Sequence, residues 1–453
     1  NMPELTLKDI NSPDQLKGLS SSQLKSICDE IRQELIDVTA KHGGHLGSNL
    51  GVVELTVALH KVFSSPKDKF IFDVSHQGYV HKILTGRREY LHTLRQTDGC
   101  SGFLQREESE HDHFGAGHAG TALSASLGFA AARDKLKKDD KVVAIVGDGG
   151  LGCGISLEAL NNVVETTKDI IIILNDNKMS ISPNVGGMSK YLNRIITDCR
   201  YNNFKGSVAE IVKKIPGIGG SLKNGISKIE EAAKGLLIPG VIFEELGIRY
   251  FGPVDGHDLD ELCSTLDKIK HLKQPVILHL LSEKGHGFEQ AQDDPEKCHG
   301  FKKKDISSKD SSPISPEKPT GPSFSTIFGD HLCKMAEKDD KVVSITAGML
   351  SGTGMMKFKK AFPDRVYDVG IAEEHGTIFA AGMAASGLKP VVGIYATFMQ
   401  RAMDCVYHDI CLQNLPVIFC MDRGGLVEDG PTHHGIPDVS FWRSRPNLHI
   451  PQP

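Results

Sequence analysis

Six short apolar runs punctuate the chain: KVVAIVGDG (141–149), DIIIILNDN (169–177) and PVILHLLSEKG (275–285), then KVVSITAG (341–348), PVVGIYAT (390–397) and LPVIFCMD (415–422). They do not alternate apolar with polar positions, as a strand with one wet face would. Unbroken β-branched runs belong to strands buried on both faces, the condition of parallel sheets covered by helices. Stretches with helical spacing lie between them. The pattern predicts an α/β protein with two domains, each a mostly parallel sheet flanked by helices.

Between the two sets, residues 302–322 read KKKDISSKDSSPISPEKPTGP, where Lys, Ser and Pro leave almost nothing to anchor a core. This is the expected linker, between a first domain over 1–301 and a second over 323–453. At 453 residues, with ~150 per domain, two or three domains are expected. Residues 189–240 are Gly- and Lys-rich with a weak period, and are expected to form a partly helical, mobile excursion. The chain ends in RPNLHIPQP, where an α/β domain is expected to continue.

Composition changes this picture little. With 39% apolar and 24% charged residues, the chain has material for a large core. A net charge of -5 gives no reason to expect nucleic acid. The longest aliphatic run, Ile170 to Leu174, falls far short of the ~18 residues of a membrane span. Ten scattered cysteines form no C-x-x-C pair or zinc pattern, which favours a reduced, intracellular protein. The start, NMPELTLKDI, resembles neither a signal nor a transit peptide.

Asp148 and Gly149 directly follow the first apolar run, and a helix-compatible stretch, SLEALNNVVE, begins at Ser156. Parallel sheets bind ligands beyond the carboxyl ends of their strands. Glycines there, Gly149 and Gly150, let backbone N–H groups approach phosphate oxygens. Asp148 offers a hard carboxylate oxygen to Mg2+. The next run ends in Asn175-Asp176-Asn177-Lys178-Met179, which brings an amide oxygen to the same place. Magnesium prefers a few such oxygens plus the ligand's own phosphates. A lone Gly-Asp-Gly is equally a tight strand–helix turn. Its pairing with a second strand that ends in Asn is more specific and matches the thiamine diphosphate signature. That match implies metal ligation by Asp148, the Asn177 side chain and the backbone carbonyl of Met179.

In the second half, YDVGIAEEHGTIFAAGMA sets Glu373 between a short strand and a helix of small residues. An isolated Glu there complements the helix dipole. Thiamine chemistry needs a carboxyl facing N1′ of the aminopyrimidine, through which the protein tunes the cofactor. In an apolar place such a carboxyl has a raised pKa and donates a hydrogen bond.

Longer segments are more specific still. KHGGHLGSNLGVVELTVALH (41–60), DVSHQGYVHKILTGRR (73–88), RYFGPVDGHDL (249–259), IAEEHGTIFAAG (371–382) and YATFMQRAMDCVYHD (395–409) together closely resemble the 1-deoxy-D-xylulose-5-phosphate synthase family. The resemblance covers nearly the whole chain. It implies a homodimer that joins pyruvate to D-glyceraldehyde 3-phosphate with loss of CO2. Thiamine diphosphate and Mg2+ would lie between the first two domains of one chain. The location implied is the cytoplasm of a bacterium, or a plastid stroma if a transit peptide has been removed.

Roles follow residue by residue from the resemblance. His45, in GGHLGSN, matches a histidine beside the reacting carbons and the substrate, and His76, in SHQGY, one near the cofactor. Gly117-His118-Ala119 matches a loop near the diphosphate, and Lys284 and Phe288 match positions that approach the cofactor. His299 matches another active-site histidine. Tyr395, Phe398 and Arg401 resemble the aminopyrimidine pocket, with Tyr395 also towards the substrate. Arg423 is expected at the acceptor's phosphate, where a guanidinium fork suits the geometry. Asp429 and His433 face the substrates in the family. Glu373, His45, His299, Asp429 and His433 are thus the expected catalytic groups. Outside these motifs most of the 20 histidines read as structural or exposed, Phe398 as a core aromatic and Arg423 as a surface ion pair.

Several positions depart from the family's pattern. Ser75 stands for Gly, Ala119-Gly120 for two serines, Gly152-Cys153 for Thr and a small residue, Phe288 for Tyr and Glu374 for Gln. The loop from Arg423 to Asp429 is one residue short. The family's C-terminal third domain, which supplies dimer contacts and a phosphate-binding arginine, is expected to be absent. Two other readings stay open: a transketolase-like transferase, and a cofactor-binding but inactive relative with a regulatory or assembly role. A dinucleotide-dependent dehydrogenase does not fit, because no G-x-G-x-x-G opens a helix after a first strand.

Overall fold

The computed structural model describes residues 6–179, 184–197, 240–294, 296, 298–300, 321–436 and 438–451. All six apolar runs contain strands. In the N-terminal half, β1 (Lys69–Phe72), β2 (Val142–Gly147), β3 (Ile171–Asp176), β4 (Arg249–Asp255) and β5 (Val276–Leu281) form one sheet, in the order β1-β2-β3-β5-β4. Every pairing is parallel. Val143 and Ile145 of β2 join the apolar core on one face, and Ala144 and Val146 the core on the other. Burial on both faces is the reason the run carries no polar position.

Helices α1 (Ser21–His42) and α2 (Val53–Val62) cover the first face through Ile27, Ile31, Leu35, Val57 and Leu59. On the other face lie α3 (Thr121–Lys135), α4 (Gly154–Thr166) and α5 (Gly186–Thr197), through Leu123, Leu160 and Leu192. The core position of α5 separates it from the excursion expected over 189–240, whose residues 198–239 lie outside the described residues. So do residue 301 and residues 302–320 of the expected linker. Helix α6 (Leu259–Ile269) returns to the first face.

The C-terminal half opens with α7 (Phe324–Lys338) and builds a second parallel sheet from β6 (Val342–Thr346), β7 (Val366–Asp368), β8 (Lys389–Tyr395) and β9 (Ile418–Asp422). Its order is β7-β6-β8-β9, and α8 (Glu373–Ala385) packs on one face. Among the described residues no helix is long and apolar enough to cross a membrane. The nine described cysteines are free thiols.

Candidate active site

Parallel register brings three carboxylates side by side at the carboxyl ends of β1, β2 and β3. Asp73, just past β1, accepts from the N–H groups of Gly120 at 2.9 Å and Ala122 at 3.2 Å, fixing the turn that enters α3. A Cβ on Gly150 would lie 2.2 Å from Asp73 Oδ2, so close approach of the carboxylate makes that position glycine. Asp148, just past β2, accepts from Asn184 Nδ2 at 2.6 Å through Oδ2, while its Oδ1 is buried without a partner. Burial, and then repulsion from Asp176, raises its pKa well above the carboxylate range. Asp176 is buried too, but its contact with His279 at 3.0 Å outweighs that and holds it ionised. Asn177 turns its N–H towards Asp148, and its Oδ1 accepts from the Met179 N–H at 3.0 Å.

A small cleft of about 60 Å³ opens at this point. Asp148, Gly149, Gly152, Asn184 and Met188 line it from the N-terminal half, and Gly348, Asp368, Gly370 and Ile371 from the C-terminal half. Glu373 follows directly, at the start of α8. It is 3% exposed and its Oε2 has no hydrogen-bond partner. Burial pushes its pKa up to about 7, against the opposing pull of the Arg401 guanidinium.

A continuous series of rings crosses from one half to the other. Centroid distances are 5.3 Å from His299 to His76, 5.5 Å from His76 to His45 and 5.4 Å from His45 to Phe103. From Phe103 to His433 the distance is 4.8 Å, then 5.4 Å to Phe398 and 5.9 Å to Tyr395, whose ring lies under the Arg423 guanidinium at 4.4 Å. Asn49 ties the first part together. Its amide donates to the carbonyls of His45 at 2.7 Å and His76 at 2.8 Å, and accepts from the Tyr79 N–H at 2.8 Å. These bonds join GGHLGSN to SHQGY.

Polar contacts sew the halves together. His118 Nε2 lies 2.7 Å from the Thr432 carbonyl, Arg401 donates to the Ala119 carbonyl, and Arg95 pairs with Asp429. Asp429 also lies 3.6 Å from Arg423 Nη1. Burial drives His45 to about 3 and His433 to about 4, and holds His76 and His299 well below the usual imidazole value. These four rings are therefore neutral at pH 7. Lys284 is buried as well, which lowers its ammonium to about 8.

The family model described as 1-deoxy-D-xylulose-5-phosphate synthase matches residues 7–282, and the one described as transketolase, pyrimidine binding domain, matches residues 320–453. The 1-deoxy-D-xylulose-5-phosphate synthase of Methylacidiphilum infernorum is 52% identical over 99% of this chain and 70% of its own length. That of Syntrophomonas wolfei is 52% identical over 99% and 69%. The chain belongs to the 1-deoxy-D-xylulose-5-phosphate synthase family. It is also similar to the solved transketolase of Campylobacter jejuni, at 17% identity over 95% of this chain and 74% of that one, with a TM-score of 0.46.

Of the residues that the synthase resemblance singles out, His45, His76, His299, His433, Tyr395 and Phe398 form the ring series, Arg423 lies over its end, and the His118 ring packs against Phe398 and His433 at 4.9 and 5.7 Å. Gly117, Ala119, Arg401 and Asp429 border it. Asp148, Gly149, Gly150, Asn177 and Met179 gather at the strand ends. Phe288 packs against the core of the N-terminal half, and among the described residues makes no ring contact with the series. Two departures have a physical account. Ser75 sits at φ 64°, where glycine is unstrained and a side chain is not. Gly120, at φ 90°, would set a Cβ 2.8 Å from Cys153 Cβ, so the glycine and the larger Cys153 fit each other. Sequence reasoning did not single out Asp73, Asp176, Arg95, Phe103 or Asn184. The strand-end rule that found Asp148 applies equally to Asp73 and Asp176, whereas no local pattern marks Arg95 or Phe103.

Proposed function

We propose that this chain joins pyruvate to D-glyceraldehyde 3-phosphate with release of CO2, giving 1-deoxy-D-xylulose 5-phosphate, and depends on thiamine diphosphate and Mg2+. The observation that carries this reading is a pair of buried carboxylates with unpartnered oxygens, Asp148 from one half and Glu373 from the other. Buried polar atoms are satisfied as a rule, and a cofactor with a metal-bound diphosphate at one end and an aminopyrimidine at the other suits both.

Asp148, the Asn177 side chain and the Met179 carbonyl would hold the metal, with Gly149, Gly150 and Lys284 towards the diphosphate. Tyr395, Phe398 and Arg401 would border the aminopyrimidine. When bound, thiamine diphosphate supplies the carbanion chemistry that no side chain offers. Glu373, titrating at about 7, keeps a proton available for N1′. His45, His299 and His433, neutral at pH 7, offer ring nitrogens that accept or return a proton at substrate oxygens. Arg423 meets the acceptor's phosphate, and Asp429 holds Arg423 and Arg95 in place. The same reading implies a homodimer, of a bacterial cytoplasm or a plastid stroma, with a diphosphate domain over 1–301 and an aminopyrimidine domain over 323–453.

The test is CO2 release from pyruvate with cofactor and Mg2+, with and without D-glyceraldehyde 3-phosphate. Acceptor-dependent release that is lost in Glu373→Ala supports the reading. Cofactor binding without release supports the inactive relative, and turnover of ketose donors without pyruvate supports transketolase-like transfer.

A further inference from the structure

The backbone is held on either side of Lys284. The Glu283 N–H donates to His257 Nε2 at 2.8 Å, and the Gly285 N–H donates to the Gly47 carbonyl at 2.8 Å. Because His257 Nε2 accepts, the ring hydrogen sits on Nδ1, which lies 3.1 Å from Glu54 Oε2 and donates to it. Glu54 lies on α2, buried, and pairs with Arg32 of α1. Burial raises its pKa, but the contacts with His257 and Arg32 outweigh that and leave it lowered, so Glu54 is ionised. The His286 ring stacks on His257 with centroids 3.6 Å apart and planes 15° from parallel, which fixes the plane of the imidazole. A chain of charged and polar contacts thus runs from two core helices to the Ser282–Glu283 peptide, one residue ahead of the lysine.

We propose that Glu54 and His257 form a positioning pair for Lys284, fixing the backbone one residue ahead of it, from which its ammonium reaches the cofactor's phosphates, while touching no cofactor atom themselves. This rests on the proposed role of Lys284. A carboxylate that orients an imidazole is used here to aim a neighbouring cation, in the way outer contacts orient the ligands of a metal.

The test is calorimetric affinity of the full chain for thiamine diphosphate with Mg2+. His257→Phe keeps a ring against His286 and deletes both hydrogen bonds, whereas His257→Gln keeps an acceptor and a donor. The expected result is binding weakened about 10-fold or more in His257→Phe, the size of loss seen when an outer positioning contact is removed, with most of it restored in His257→Gln. In a Lys284→Met background, His257→Phe should add about twofold at most, since coupled residues are not additive. If His257→Phe does not fold, Glu54→Gln, which keeps the shape, should show the same loss and the same dependence on Lys284. Unchanged binding in these variants, or an equal loss in the Lys284→Met background, overturns the pair's role. Normal binding in Lys284→Met alone removes the role of Lys284 and the proposal with it.

Discussion

Phe103, from the N-terminal half, stacks on His433, from the C-terminal half, with ring centroids 4.8 Å apart and planes 12° from parallel. The contact lies midway along the rings between His299 and Tyr395, so it sets how the histidines of one half face the aromatic pocket of the other. Phe103→Leu keeps most of the volume and loses the flat face. Volume-conserving swaps cost less than about 1.5 kcal/mol, so thermal stability should fall by only a few degrees. Turnover should fall about 10-fold if His433 acts in the proposed site, the cost of displacing a group there. Unaltered turnover in CO2 release would reduce the stack to packing.

Glu373 ties function to a stability cost. Its carboxyl titrates at about 7 when folded against a reference of 4.5, so the folded state holds this proton more tightly. That stabilising contribution is fully present below pH 4.5 and is lost as pH rises through 7, a span of about 3 kcal/mol. Glu373→Gln should therefore stabilise the cofactor-free chain at pH 8 and leave it unchanged at pH 4.5, while turnover falls by ~10² or more. Urea unfolding at the two pH values checks this, and an equal effect at both would contradict it.

The buried histidines work in the other direction. His45, His113 and His433 are pushed down to about 3 to 4, and His60, His76 and His299 lie well below the imidazole value of 6.5, in each case mainly through burial. Depressed folded values give stability that is present above pH 6.5 and lost as pH falls towards 4. The melting temperature of the cofactor-free chain should drop steadily over that range. A flat profile would show that these rings are charged, or reach water, in the folded state.

The six apolar runs were legible because strands buried on both faces leave no polar position to interrupt them. Strand β1 offers only KFIF, β4 carries Gly252-Pro253 inside it, and β7 has three residues, all too little for a pattern. Asp148, Asn177 and Glu373 could be found because each sits at the junction of a strand and a turn or helix. Asp73 sits at such a junction too, but its purpose comes from Gly120, 47 positions away, and Arg95 finds Asp429 across 334. Such partners exist only once the sheets have formed.

Gly150 and Gly152 look alike in sequence and differ in space. A Cβ at Gly150 meets Asp73 at 2.2 Å, whereas one at Gly152 finds its nearest neighbour, the Gly149 carbonyl, at 3.6 Å. Gly150→Ala should destabilise by about 1–3 kcal/mol, as overpacking does, and Gly152→Ala by about 0.5 kcal/mol or less. Thermal denaturation of the two variants decides, and similar losses would contradict the assignment of Gly150 to contact with Asp73.

That one thiamine diphosphate bridges the two halves, with its metal end on Asp148, is tested most directly by calorimetric titration of the cofactor into the chain with and without Mg2+, repeated in Asp148→Asn. Binding should require Mg2+ and weaken by about 10- to 100-fold or more in the variant. Binding of equal strength without Mg2+, or in Asp148→Asn, would contradict the bridge.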